Sequence, residues 1–240
     1  MWLLALVATC ASAGNVAYMN HTIRSCDTHV VQINTVASSV RLGLLRPAGC
    51  DYDGNRYRDG SLLGMARASG TLAAITGTYF SPPTLEPVGA IALHGMLVYD
   101  GLAHSVLRYQ KDKTVVIEHH PCGTRGHDLD WDGTLFAMAS SPSLVRSGRP
   151  TIEPYGYHRG IGGNAARCAV GVTGAGKLLL VATEPTSLGR LSRIMLDLGA
   201  QEAINLDGGT SAGLWYDGRM RVWPGRSLTQ AIGVFEDPRD

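Results

Sequence analysis

Charge is scarce in this chain. Asp, Glu, Lys and Arg make up 17% of its residues, against about 25% in an ordinary soluble domain, and Lys and Arg nowhere form a long run. With a formal net charge of +1, the chain carries no basic footprint for nucleic acid or for an anionic membrane surface. No apolar stretch approaches the roughly 20 residues that would span a bilayer. Internal repeats and low-complexity linkers are also missing, so a single domain is the simplest partition.

Cysteine is sparse too, with five residues. Cys10 lies in an N-terminal segment that has its own reading, below. Cys26, Cys50, Cys122 and Cys168 remain, and four cysteines allow three pairings between which the sequence does not choose. Their number is compatible with an oxidising compartment. Cys168, inside an apolar strand pattern, also reads as a free buried thiol.

Glycine is what abounds: 30 of 240 residues, above the usual ~7%. Few charges and many glycines suggest a turn-rich, strand-based protein, long enough to bury a substantial core without staples. The start, "MWLLALVATCASAGN", has an apolar run from Trp2 to Cys10 and a small-residue cleavage pattern at Ala11-Ser12-Ala13. Residues 1–13 are therefore expected to be a cleaved secretory signal, although the basic n-region is missing. A buried first strand is the competing reading. The expected location is extracytoplasmic or secreted, with residues 14–240 forming the functional domain.

Along the chain, 29–35 and 39–45 read as strands around a short connection, and 61–69 as a short helix with Asp59 as its cap. The run 72–80 ends in a glycine bend, 88–101 is a hairpin turning at His94-Gly95, and 114–120 is a strand. From Cys168 the pattern sharpens. A hairpin (168–184) leads into a helix with Leu188, Leu191, Ile194, Met195 and Leu198 on one face, capped by Thr186 or Ser187 and stopped at Gly199. The strand 201–207 follows. A strand–helix–strand unit with short links is a right-handed crossover with parallel strands. Glu184 ends the first strand and Asp207 the second, so both acids reach one sheet edge, where ligands collect in such units. The expected fold is α+β: a mixed, hairpin-rich β-sheet with about two packed helices.

Several motifs weaken on inspection. Gly209 to Gly213 spells G-x-S-x-G, but a hairpin turning on Asp217-Gly218 follows where a serine hydrolase needs a helix, and the last histidine, His158, precedes Ser211. A serine hydrolase using Ser211 is thus the lesser alternative. Gly171 to Lys177 matches a phosphate loop until Leu178 takes the Ser/Thr position. Asp128, Asp130, Asp132 and Gly133 open like a calcium loop, but its twelfth position falls on Ala139. A polar turn accounts for them, with a calcium site as the alternative. His119, His120, Cys122 and His127 fit no standard zinc spacing. No cofactor is expected otherwise.

"NLDGGTSAG" (205–213) is harder to dismiss. A tight turn capped by Asp207 explains one glycine. Asp207, Gly208 and Gly209 followed by Thr210, Ser211 and another glycine suit a close approach to backbone, and exposed amides there would cradle an oxyanion such as phosphate. "TGTYF" (76–80) offers a glycine-flanked hydroxyl and an aromatic pair at a strand end, as either core or a sugar-binding wall. Arg167 is either a solvated strand-edge charge or a fork for phosphate or carboxylate.

Five blocks in order resemble the phosphodiester glycosidase family: "TGTYF", "VGAIALHGMLVYDG", "SPSLVRSGRP", "RCAVGV" with "GKLLLVATE", and "NLDGGTSAG" with "AIGVF". The resemblance spans roughly Val30 to Phe235. Thr76 stands where the family often has Asn, and Thr210 where it has a third Gly. The resemblance implies hydrolysis of a sugar 1-phosphodiester, GlcNAc-1-phosphodiester-like, to free sugar and a phosphomonoester. It implies Asp207 and Glu184 as candidate carboxylates and Arg167 with the amides of Gly208 to Ser211 as holders of the leaving phosphate. Thr76, Gly77, Thr78, Tyr79, Phe80, Asn205, Gly208, Gly209, Thr210 and Ser211 are the expected substrate-binding residues. The partner class is a carbohydrate or glycosyl phosphate. A carbohydrate-binding module that keeps the cradle without turnover is the alternative.

Overall fold

The computed structural model describes residues 14–52, 54–152 and 161–237; the expected leader, 1–13, lies outside them. The first hairpin joins β1 (Val16–Ile23) to β2 (Cys26–Ile33) through Arg24 and Ser25, both at positive φ. β3 (Val40–Leu45), α1 (Leu62–Ser69) and β4 (Ala73–Thr76) follow. β5 (Ile91–Leu93) and β6 (Met96–Tyr99) flank the expected turn, where His94 and Gly95 both take positive φ as a two-residue hairpin loop requires. Then come β7 (Ser105–Gln110), β8 (Val115–His119), β9 (Thr134–Ser140), β10 (Ser143–Arg146) and β11 (Arg149–Pro150). β12 (Ala165–Thr173), β13 (Leu178–Thr186), α2 (Leu188–Asp197) and β14 (Ala200–Asn205) carry the strand–helix–strand unit. β15 (Leu214–Tyr216), β16 (Arg219–Val222) and β17 (Ala231–Glu236) close the chain.

These strands form three sheets, in the orders β1-β2-β13-β12-β14-β10-β11, β16-β15-β4-β17-β3 and β6-β5-β9-β7-β8. Every strand pair in them is antiparallel. The expected mixed sheet is corrected accordingly: the protein is mostly β, with two helices on antiparallel sheets. β13 and β14 do run in the same direction, but β12 lies between them and pairs antiparallel with both. The strands read at 29–35 and 39–45 are β2 and β3, and their short connection passes from the first sheet to the second.

Period-two alternation builds the core. Leu178, Leu180 and Ala182 of β13 point into a cluster shared with Ile75, Ile232, Leu107 and Phe136, which come from the other two sheets. Leu179 and Val181, on the opposite face, pack under Leu188, Leu191 and Met195 of α2. α1 covers the outer face of the second sheet, with Leu62 and Met65 against Ala74 and Trp215. Ser61, not Asp59, caps α1: its hydroxyl accepts from Gly64 N at 3.0 Å. Ser187 caps α2 by accepting from Arg190 N, and Gly199 at φ 87 ends it.

The seam between the first and second sheets positions the site. Past β14, Leu206 N donates to Cys168 O at 2.8 Å, and Asp207 N donates to Gly77 O at 3.0 Å. Two backbone bonds thus carry the chain from the end of β14 onto the end of β4.

Candidate active site at the Asp207 turn

At that seam the chain makes a 3-10 turn over Gly209–Ser211. Gly209 takes φ 59, and a Cβ on Gly208 would lie 2.8 Å from Ala166 O. Only a glycine lets the turn press that closely on β12. The turn uses some of the amides that the sequence suggested for an oxyanion: Gly208 N donates to Asp207 Oδ1 at 2.9 Å and Ser211 N to Gly208 O at 3.0 Å.

Asp207 is 4% exposed. Its second oxygen, Oδ2, accepts from Arg226 Nη2 at 3.0 Å. Burial raises its carboxyl above the ordinary value, while Ser211, Arg226 and Gly208 pull it back down. Arg226 also donates from Nε to Ser211 Oγ, and its guanidinium carbon lies 4.5 Å from the centroid of the Phe80 ring, in cation–π range. Ser211 is itself fully buried, with a guanidinium donor on its oxygen where a hydrolase nucleophile needs a base.

The TGTYF block approaches from β4. Thr76 Oγ1 donates to Ser211 O at 2.6 Å and braces the turn from beneath. Gly77 admits no Cβ: Gln230 Cγ would lie at 2.9 Å and Gln230 O at 3.1 Å. Gln230 Nε2 donates to Thr78 O, while the Thr78 hydroxyl is buried without a partner. Tyr79 accepts at its hydroxyl from Asn205 Nδ2, which also donates to Leu206 O at 2.7 Å. The phenol therefore keeps its own proton to donate elsewhere. Burial first, then the charge on Asp207, holds it above the ordinary tyrosine range. Asn205 Oδ1 is buried and unpartnered.

Arg167 is 3% exposed and is no solvated edge charge. It donates from Nε to Thr186 O and from Nη2 to Ile161 O and Gly163 O, and no carboxylate among the described residues lies within salt-bridge distance of it. Its charge reaches Tyr79, and burial lowers its pKa. Glu184 stands apart. It is exposed, acts electrostatically on His29, and shares no hydrogen bond with the Asp207 cluster. Thr210, at the outer rim of the turn, is exposed, and its carbonyl accepts from Gly225 N at 2.7 Å.

Two residues absent from the sequence reading belong to this cluster. Arg226 and Gln230 sit in the segment between β16 and β17, where no periodicity or motif distinguishes them. The signal is purely spatial, since the bond from Gly225 N to Thr210 O folds the segment back over the Asp207 turn.

Tyr79 also lines a cleft of about 790 Å³, within the usual range for small-molecule sites. Its lining mixes apolar Val88, Leu102, Pro142 and Ile161 with polar His104, Arg146, Ser141 and Ser143.

The other predicted ligands are dispersed. His119 Nε2 lies 3.0 Å from Glu202 Oε2, His120 faces Glu118 at 3.6 Å, and His127 Nδ1 is 2.8 Å from Asp100. Asp128 accepts from Arg125 N and Asp130 from Asp132 N. Among the described residues, no three His, Cys, Asp or Glu side chains gather in a metal-holding group. Cys26, Cys50, Cys122 and Cys168 are all free thiols, and burial pushes the Cys168 thiol up to about 12.

A buried acid under an arginine thus stands at a seam of antiparallel sheets on a β-rich scaffold, and its charge acts on Tyr79 in the lining of the cleft. The chain belongs to the phosphodiester glycosidase family, whose model matches residues 69–235. Comparison with curated proteins finds no match. Among solved structures, the chain is similar to the catalytic domain of zebrafish N-acetylglucosamine-1-phosphodiester alpha-N-acetylglucosaminidase, auto-inhibited by its pro-peptide. That match has a TM-score of 0.72 and 21% identity, covering 93% of this chain and 83% of that one. A hypothetical protein from Synechocystis matches with TM-score 0.66 and 19% identity, over 92% of this chain and 62% of that one. A Burkholderia pseudomallei K96243 protein, described as exported, matches with TM-score 0.70 and 14% identity, over 88% and 74%. At these identities the structures share a fold with this chain. No helix among the described residues is long and apolar enough to cross a membrane.

Proposed function

We propose that the chain hydrolyses a sugar 1-phosphodiester, releasing free sugar and a phosphomonoester, and does so outside the cytoplasm. One observation carries the reading: the Asp of the family-like NLDGGTS turn is buried under Arg226, and its charge acts on Tyr79, which lines a ligand-sized cleft. In this reaction the bond from the anomeric carbon to the bridging phosphate oxygen breaks. Water supplies the new hydroxyl, and the phosphate leaves with the bonding pair. Phosphate is a good leaving group, so its charge must be held more than its oxygen must be protonated. Arg167, fixed by three carbonyls, supplies a positive field near Tyr79, whose free phenolic proton can donate to a phosphoryl oxygen. Asp207 stabilises positive charge at the sugar or activates water. Thr76 positions it by bracing the turn. The export description of the Burkholderia protein supports the location.

A second reading, a carbohydrate-binding module without turnover, is favoured by the engagement of Asp207: each of its oxygens already accepts a hydrogen bond within the protein. Free sugar and phosphomonoester would be followed from a GlcNAc-1-phosphodiester with wild type and Asp207→Asn. Equal products from wild type, lost in a folded mutant, support the hydrolase. Binding without release leaves the module, and full release by the mutant removes Asp207 from the chemistry.

A further inference from the structure

The cleft beside Tyr79 has two kinds of lining residue. Val88 and Leu102, 40% and 47% exposed, are joined by Pro142 and Ile161, and these four offer no side-chain hydrogen bond. His104, Arg146 and the hydroxyls of Ser141, Ser143, Thr124 and Thr151 are among its polar groups. Among the described residues, no Asp or Glu belongs to the lining. Arg146 Nε is buried without a hydrogen-bond partner, and no carboxylate among the described residues lies within salt-bridge distance of that guanidinium. The acids on the strands behind are engaged elsewhere: Glu118 with Arg108 and His120, Glu202 with His119 and Ser147 N.

An arginine with an unmet buried donor, in a cleft lined by no carboxylate among the described residues, asks for an anion. Aliphatic side chains left exposed along the same cleft ask for an apolar body. We propose that this cleft takes the leaving group of the substrate, and that the leaving group is an organic phosphate with an alkyl or aryl body. A second sugar would find partners for only some of its hydroxyls on Ser141, Ser143, Thr124 and Thr151, and those set against Val88, Leu102, Pro142 and Ile161 would lose their hydration without replacement. The term leaving group rests on the glycosidase reading, but the ligand class is testable by binding alone.

The test is calorimetric titration of the full chain with methyl phosphate, hexyl phosphate and hexyl glucoside. Each CH₂ that leaves water adds roughly four-fold in affinity. Even partial burial of the chain therefore predicts hexyl phosphate at least about ten-fold tighter than methyl phosphate, with hexyl glucoside weaker than hexyl phosphate. Arg146→Met is expected to weaken hexyl phosphate by about ten-fold or more, and Leu102→Ser, at an exposed position, to shrink the hexyl-over-methyl preference. Equal affinity for the two phosphates, or indifference of hexyl phosphate to Arg146→Met, overturns the proposal. The hexyl and methyl diesters of GlcNAc 1-phosphate then separate the two readings. Tight hexyl phosphate binding without hydrolysis of either diester keeps the cleft and removes the reaction. Hydrolysis of both at equal kcat/KM, without a binding preference, keeps the reaction and removes the cleft.

Discussion

Arg226 Nη2 lies 3.0 Å from Asp207 Oδ2, across 19 residues of chain that include a complete hairpin. The same guanidinium reaches Ser211 Oγ and covers the Phe80 ring, so one side chain ties the carboxylate, the turn and the TGTYF block together. Arg226→Met removes that tie and leaves a buried carboxylate short of a donor. A stability loss of about 1–3 kcal/mol is expected, with turnover of a glycosyl phosphodiester reduced by more than the loss of folded protein explains. Arg226→Lys should recover only part, because one ammonium cannot reproduce the planar fork that serves both oxygens. Urea denaturation beside activity at a temperature where both variants are folded would check this, and an Arg226→Met protein of unaltered turnover would confine the pair to a structural role.

The pH dependence of stability carries a sign. Burial is the largest influence on Asp207 and raises its carboxyl. A carboxyl whose folded pKa lies above its unfolded value of about 3.9 stabilises the fold fully below the unfolded value, and that contribution is lost as pH rises through the folded pKa. Wild type is therefore expected to lose stability relative to Asp207→Asn as pH is raised from about 3. Denaturation midpoints of both proteins across that range decide it. The opposite slope would mean that Arg226, Ser211 and Gly208 together outweigh burial.

Tyr79→Phe separates positioning from fold. The substitution removes one acceptor of Asn205 Nδ2, which still donates to Leu206 O, so stability should change by no more than about 1 kcal/mol. If the phenol donates to the phosphoryl group, kcat should fall by roughly 10- to 100-fold with KM little altered. Steady-state kinetics on a glycosyl phosphodiester would show this, and an unchanged kcat would reduce Tyr79 to a wall of the cleft.

Gly208→Ala tests the close approach of the turn to β12. The new Cβ would stand 2.8 Å from the Ala166 carbonyl oxygen, a backbone atom that cannot swing aside. A loss of about 1–3 kcal/mol is expected, with displacement of Asp207 and a loss of activity. Gly209→Ala meets no neighbour but strains a positive φ; a cost nearer 1 kcal/mol is expected there. Thermal unfolding of the two variants should rank them in that order.

Ser211→Ala addresses the G-x-S-x-G spelling. With Arg226 donating to a fully buried hydroxyl, no labelling by a fluorophosphonate is expected in wild type, and the variant should lose stability through the missing acceptor. Covalent labelling at Ser211 would revive a serine hydrolase.

Local chemistry was legible in the sequence wherever one segment decides its own conformation. The hairpin at His94-Gly95, the helix from Leu188 with its serine cap and Gly199 stop, and the Gly-rich turn at Asp207 all follow from short-range pattern, because caps, turns and amphipathic faces are satisfied within a few residues. β1 and β7 escaped that reading. β1 is a half-exposed edge strand without clean alternation. β7 is buried on both faces and holds Arg108, whose charge is met in the fold by Glu118, Thr134, the Asp130 carbonyl and the Trp131 ring. The same logic divides the site. Asp207, Gly208 and the Thr76–Phe80 block could be named from order and spacing along the chain. That Arg226 covers Asp207, that Arg167 ends among three carbonyls, and that β12 keeps Glu184 away from Asp207 were decided only when three antiparallel sheets closed on a common core. Sequence spacing specifies which face a side chain takes on its own strand. Which strand lies beside it is set by long-range pairing, and that pairing assembled the charges around Asp207.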